Sequence, residues 1–350
     1  MRRTRYTPVG IEIGGRLIRM VQFAQTGSAV RLHSWAVFPR LDSKSELAQE
    51  IERIAATFDR RGFVGRDVAF CLPDEDTLSA VLELPPMKSG APVHSIAGVE
   101  IGRMFKHSPQ ELELALWELP TNSRQAGAVA SMVVACPHTT SQPIIDAFET
   151  RDLTIRAIEP RCTALVRACC RDGGSAESLE IILSLGWTHS RLYAACSGVV
   201  VLERVMENAD LETLHRVIAG TIGVDTDLAS IAIRDALRGE RELLTDPDAT
   251  REIQEQFRHY CDVIAAETLT AVSYLSRRYA GRRVSGLLLL CDGDEASDLT
   301  KDLAARLSME SRVCSLTELN VDGVERIDPA TRRALVATAG LCLIPNGGEA

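Results

Sequence analysis

Two glycine turns hold the residues whose type and spacing could do chemistry. Val9 to Val21 reads V-G-I-E-I-G-G-R-L-I-R-M-V, and Ile181 to Tyr193 reads I-I-L-S-L-G-W-T-H-S-R-L-Y. Each is an apolar strand that reaches a glycine (Gly14, Gly186), turns, and leaves as a second strand. Such a turn can aim backbone N–H groups at a phosphate, because glycine lets an anion come close to the main chain. Thr188 and His189 sit just past Gly186, where a phosphate-facing group would stand, and an exposed turn would suit them equally well. Arg16 and Arg19 could meet an anion, and both also fit a solvated strand face. Two such turns, one per half, predict a duplicated α/β protein with a nucleotide cleft between its halves.

The elements that position these turns follow from the pattern of the chain. Val9–Phe23 and Val30–Phe38 read as antiparallel strands, from their β-branched and aromatic content. Ser43 can cap a helix running to about Arg61, with Glu46 completing a capping box. Asp67–Leu72 reads as a buried strand stopped by Pro73. Beyond it come a strand at Thr77–Leu84, a helix at Val93–Phe105, and strands at Glu111–Leu119 and Ala128–Ala135. A helix at Thr140–Arg151 and a strand at Leu153–Ile158 complete the block. That order, β-α-β-β-α-β, is ferredoxin-like and predicts a small inserted subdomain with a loop at Thr121–Gly127. Leu112, Leu114 and Leu116 share one face of a strand within it, which suits core packing or peptide pockets.

A helix at Arg161–Arg171 returns to the first half, and D-G-G-S at Asp172–Ser175 reads as the linker to the second. The second half opens with the repeated hairpin and a third strand at Val199–Val205. Helices follow at about Leu211–Ile222, Thr226–Leu237 and Ala249–Tyr279. Val284–Cys291 is a very apolar strand ending in the turn C-D-G-D, followed by helices at Ala296–Leu307 and Pro329–Leu343. The expected division is 1–75 with 159–174 as the first half, 76–158 as the insert and 175–345 as the second half. Residues 346–350 read as a loose tail.

Bulk properties narrow the function. The chain has 350 residues, 45% of them hydrophobic, enough for more than one core. A net charge of -9 and a pI near 5.4 exclude a general nucleic-acid binder, which needs a basic footprint. The basic start M-R-R-T-R-Y-T is not followed by the apolar core of a secretory signal. The apolar runs Leu287–Cys291 and Met132–Cys136 are far too short to span a bilayer. Ten cysteines without a C-x-x-C spacing read as small core hydrophobes in a reducing cytoplasm.

With these elements in order, the chain resembles the actin-like ATPase superfamily, a duplicated ribonuclease H-like fold. Within it, the likeness is to the PilM-like type IV pilus assembly proteins, which are related to FtsA. The likeness covers nearly the whole chain. It rests on V-G-I-E-I-G-G, L-E-L-P-P-M at Leu82–Met87, A-C-P-H at Ala135–His138, A-E-T-L-T-A-V-S-Y-L at Ala266–Leu275 and A-T-A-G-L-C-L at Ala337–Leu343.

The resemblance implies a nucleotide site, with Glu12 standing for the usual Asp and holding magnesium weakly. Gly14, Gly15, Arg16, Gly186 and Thr188 would face ATP phosphate, while Glu267 and Gly293 would lie toward the adenosine. It also implies erosion: Ser184 replaces a second carboxylate, Gly15, Arg16 and Leu17 stand where hydroxyls are usual, and Asp292-Gly293 replaces a G-G turn. Magnesium prefers carboxylates with waters and phosphates around it, so these losses predict weak ATP binding and weak or lost hydrolysis. The implied role is a cytoplasmic adaptor that binds the N-terminal peptide of a PilN-like inner-membrane protein within or beside residues 76–158. It would be peripheral to the membrane through that partner alone, and an oligomer is compatible with it. A sugar or acetate kinase of the same superfamily is the alternative, and a related secretion-system component is a third reading.

Overall fold

The computed structural model describes residues 4–41, 46–120, 127–170, 178–291 and 293–344. The chain starts with strands β1 (Arg5–Tyr6), β2 (Val9–Ile13), β3 (Leu17–Thr26) and β4 (Ala29–Pro39), then helix α1 (Leu47–Arg61) and β5 (Asp67–Cys71). Next come β6 (Leu78–Leu84), α2 (Val93–Phe105), β7 (Leu112–Glu118), β8 (Val129–Pro137), α3 (His138–Glu149), β9 (Thr154–Glu159) and α4 (Arg161–Cys169). Strands β10 (Ser178–Leu185), β11 (Ser190–Cys196) and β12 (Val199–Met206) open the second half. Helices α5 (Leu211–Ile222), α6 (Ala229–Arg238) and α7 (Pro247–Arg278) precede β13 (Arg283–Cys291). The described chain closes with α8 (Ala296–Leu307), β14 (Ser311–Val313), α9 (Pro329–Ala334) and α10 (Val336–Cys342).

Strand order establishes the duplication. One sheet runs β4-β3-β2-β5-β9, with β1 adding a short pairing to β3. The other runs β12-β11-β10-β13-β14. In each, the first three strands are antiparallel and the last two join in parallel. The central strands β2 and β10 are buried along most of their length, as covered parallel pairings require, and their sequences are correspondingly apolar. The two glycine hairpins therefore occupy equivalent positions in separate sheets.

The insert is smaller than the β-α-β-β-α-β order predicts. Strands β6, β8 and β7 form a three-stranded sheet covered by α2, but β9 pairs in parallel with β5 in the first sheet. Ile144 and Phe148 of α3 are buried in the first-half core beside Phe58, Phe70 and Leu153. A local pattern gives the type of each element but not its distant partner, and here the last helix and strand complete the parent sheet. Leu112, Leu114 and Leu116 pack with Ala97 and Ile101 of α2, so their face belongs to the insert's core.

Local chemistry fixes several element ends. Ile51, Ile54 and Phe58 form the buried stripe of α1, and Gly62 ends it in the left-handed conformation at φ 69°. Glu46 occupies the N-cap of α1 without a side-chain cap bond, and Ser43 lies outside the described residues. Asp210 caps α5 by accepting from the Thr213 N–H at 2.7 Å. The expected last helix is two, broken at Leu335 between α9 and α10. Residues 121–126, the 172–175 linker and the 346–350 tail lie outside the described residues. All ten cysteines are free thiols, nine of them buried, as their apolar surroundings predict.

Helix α10 crosses back from the second half to pack on β2, β3 and α4. The packing is close enough that a Cβ on Gly340 would lie 1.9 Å from the Ala164 carbonyl oxygen. Gly340→Ala should therefore destabilise the fold by about 1–3 kcal/mol through overpacking. Gly220 on α5 has open space around its Cβ position, so Gly220→Ala should stabilise by about 0.4–1 kcal/mol. Denaturant melts of the two variants check this; equal shifts of the same sign would contradict the close α4–α10 contact.

Candidate functional site

The two hairpin turns face each other across one cleft of about 460 Å³. The turn after β5 and the first residue of α4 form its floor, and the turn after β13 with one face of α5 closes the second-half side. Glu12, Gly14, Gly15, Arg16, Gly186, Thr188 and Gly293 all line it, so seven of the predicted residues are brought together. Glu267 is not among them. It lies on α7 and ion-pairs with Arg204 of β12, because its helical position turns it toward that strand. Ser184 is buried within β10 and does not line the cleft, and Asp292 lies outside the described residues.

Glu12 sits in a setting its sequence context did not reveal. Its Oε1 lies 2.9 Å from Nη1 of Arg161 and 3.5 Å from Nη1 of Arg19, while Thr338 Oγ1 donates to Oε2 at 3.4 Å. Arg19 is buried, opposite Glu12 on the return strand, not on a solvated face. A magnesium ion does not fit here. Both carboxylate oxygens are engaged, and a dication would lie against two guanidinium groups. Among the described residues no cluster of three His, Cys, Asp or Glu side chains could hold a metal instead.

The second hairpin repeats the device with one partner changed. Arg191 stands opposite Ser184, as Arg19 stands opposite Glu12. Lacking an acid there, Arg191 reaches Glu203 at 2.6 Å and Asp74 Oδ2 at 3.7 Å, and donates to the Asp74 carbonyl oxygen. Asp74 also feels Arg161, so the charges alternate from one sheet to the other: Arg19, Glu12, Arg161, Asp74, Arg191, Glu203. Burial pushes the Asp74 carboxyl up despite Arg161 and Arg191 pulling it down. Burial works against the charge on Arg161, but Glu12 and Asp74 outweigh it and raise its pKa. Cys71 also lines the cleft, and burial first and Glu12 second push its thiol well up, so it is no thiolate nucleophile.

The turns themselves are largely self-satisfied. The Gly14 N–H bonds the Leu17 carbonyl at 2.9 Å, and the Gly186 N–H bonds Ser190 Oγ at 3.2 Å. Neither N–H is left to point at phosphate. Gly186 is needed because a Cβ there would lie 2.2 Å from the His189 carbonyl oxygen. Across the cleft, a Cβ on Gly15 would meet Thr188 Oγ1 at 2.7 Å, so the hairpin tips touch.

Arg16 likewise turns to its own chain. It lies 4.6 Å above the Trp187 ring and 2.6 Å from Asp227. Trp187 meets His215 edge-on at 5.1 Å, and His215 Nε2 lies 3.2 Å from Glu295. The Glu295 carboxylate fills the space beside Gly293, so this end is occupied by side chains as well.

Sequence reasoning missed Arg161, Asp74, Arg191 and the His215–Glu295 pair. One signal was present: each hairpin carries an arginine five residues after its glycine, Arg19 after Gly14 and Arg191 after Gly186.

No family model matches the sequence, and no curated protein does. Among solved structures, a PilM-PilN type IV pilus biogenesis complex is similar over 96% of this chain and 98% of that one, at 16% identity and a TM-score of 0.78. The ethanolamine utilization protein EutJ from Carboxydothermus hydrogenoformans is similar over 97% of this chain and 90% of its own, at 12% identity and a TM-score of 0.52. The chain has the actin-like ATPase fold. At these identities the likeness establishes architecture, and the cleft chemistry must be read from this chain's own side chains.

The charge alternation makes a sharp energetic forecast. Glu12→Gln should destabilise the fold by about 3–5 kcal/mol, since it leaves buried guanidinium charge uncompensated. Arg16→Ala should cost less than about 1 kcal/mol, because its ion pair with Asp227 is solvent-exposed. Urea titration of both variants measures the difference; a larger loss for Arg16→Ala would overturn this account of the cleft floor.

Proposed function

We propose that this protein is an actin-fold adaptor with weak nucleotide binding and no sustained hydrolysis. It would hold the N-terminal segment of a PilN-like inner-membrane protein, on the cytoplasmic side of a pilus or related secretion assembly. The observation that carries the reading is an ATPase-type cleft whose one hairpin carboxylate, Glu12, is neutralised by Arg161 and Arg19. The PilM-PilN complex supports it through a shared architecture over nearly the whole chain. No described helix is long and apolar enough to cross a membrane, and in this proposal the membrane link is the partner's.

A groove beside the insert is the proposed peptide site. Trp117 of β7 forms one wall, Val166, Arg167 and Cys170 of the α4 region form the other, and Val199 and Val200 close the end. Trp117 Nε1 donates to the Val200 carbonyl oxygen at 2.8 Å, which fixes the ring at the seam. Strand β7 pairs with β8 and is an edge of its sheet, so an extended peptide could add main-chain hydrogen bonds beside an aromatic anchor. The kinase alternative would need a carboxylate free to take a proton beside the phosphate. Glu12 and Asp74 are both held by guanidinium groups, which disfavours that reading.

The test is capture of a single-span membrane protein, followed by titration of its synthetic N-terminal segment. Ordering of a free peptide sets the expected affinity on the order of micromolar. Trp117→Ala should weaken binding by about 2 kcal/mol, the loss of an anchoring aromatic. Val99→Ala, on the exposed side of α2, should leave it unchanged. Equal affinity for wild type and Trp117→Ala would move the site away from this seam.

A further inference from the structure

The acid that should recruit a metal is buried between two arginines, and that reverses the electrostatics of the cleft. The Glu12 side chain is only 4% exposed and shares Oε1 between Arg161 and Arg19. A dication entering with a nucleotide would meet no available acid at this position and would be repelled by guanidinium charge. Arg161 lines the cleft and remains 18% exposed at its side chain. Its buried Nε has no hydrogen-bond partner among the described residues, so the group still has a donor to satisfy. Guanidinium groups pair with phosphate oxygens directly and more strongly than neutral donors do.

We propose that Arg161 takes the place of the divalent cation, so that this cleft accepts a nucleoside polyphosphate as the metal-free anion. The inference rests on the reading that the cleft binds nucleotide at all. Arg161 is tied down by Glu12, which prevents the side chain from swinging away and keeps its charge at the floor. The substitution also explains why binding need not lead to hydrolysis. A guanidinium offsets phosphate charge but cannot coordinate and activate a water as a bound metal does.

Calorimetry on the full chain with ATP tests this, once with EDTA and once with excess magnesium chloride. Unchanged or tighter binding in EDTA is the expected result. Binding that requires or is strengthened by magnesium would overturn the inference and leave the nucleotide reading standing. Absence of ATP binding in both conditions would remove the inference and the nucleotide reading together, without touching the peptide groove. Arg161→Gln should lose about tenfold in affinity in EDTA, the loss of one charge-assisted contact. It should also gain magnesium dependence as Glu12 is released. Arg161→Lys preserves the charge beside Glu12, and it should stay magnesium-independent if Arg161→Gln fails to fold. Wild-type affinity in EDTA for a folded Arg161→Gln protein would refute the role assigned to Arg161.

Discussion

The Glu12–Arg161 ion pair sets the conditions under which the rest of the cleft is built. Glu12 lies near the end of the central strand β2, and Arg161 is the first residue of the helix that follows β9. Burying these charges costs desolvation, which their attraction offsets only with good geometry and further hydrogen bonds. Arg19 and Thr338 supply those contacts, and Thr338 comes from the last described helix. Two guanidinium groups for one carboxylate leave an excess positive charge. Asp74 balances it, Arg191 balances Asp74, and Glu203 ends the series.

The internal duplication explains why that series crosses from one half to the other. In the first copy, the arginine of the return strand finds its acid directly opposite, at Glu12. In the second, the opposite residue is Ser184, and Arg191 must seek an acid elsewhere. The available carboxylates are Glu203 on the neighbouring strand and Asp74 on the far side of the cleft. Losing one carboxylate from the second hairpin thus accompanies a new tie between the halves. A nucleotide site and an internal ion-pair network need the same charged positions, and this chain commits them to the network.

Much of the architecture was legible because it is written in local periodicity. Apolar strands around Gly14 and Gly186, and the helices α2, α5 and α8, depend on patterns a short window contains. The pairing of β9 with β5 does not, since parallel partners are joined through distant chain and carry no mark of each other. For the same reason the β-α-β-β-α-β order suggested a four-stranded insert, where the chain instead returns to its first sheet. At the site, glycine positions and Gly15–Thr188 proximity followed from the duplication. The role of Arg19 did not, because an arginine within a strand reads the same whether it faces water or a buried acid. Glu267 was misplaced by the opposite error, since a matching motif on a long helix does not fix which way a given side chain points.

The contacts across the cleft differ greatly in weight, and this decides which part of it can move. Arg16 and Asp227 span the mouth with side chains 47% and 75% exposed, where solvent screening leaves an ion pair little net strength. Arg191 spans the floor with a side chain only 9% exposed, between two acids. Opening the mouth costs little, whereas separating the floor would leave buried charges unpaired. The same floor holds the start of α4 through Arg161 and the β11–β12 pair through Arg191 and Glu203. Those elements lead directly into the walls of the Trp117 groove. A cleft locked by its own charges therefore keeps the proposed peptide seam in register, so the remains of an ATP site would serve the adaptor as its rigid frame.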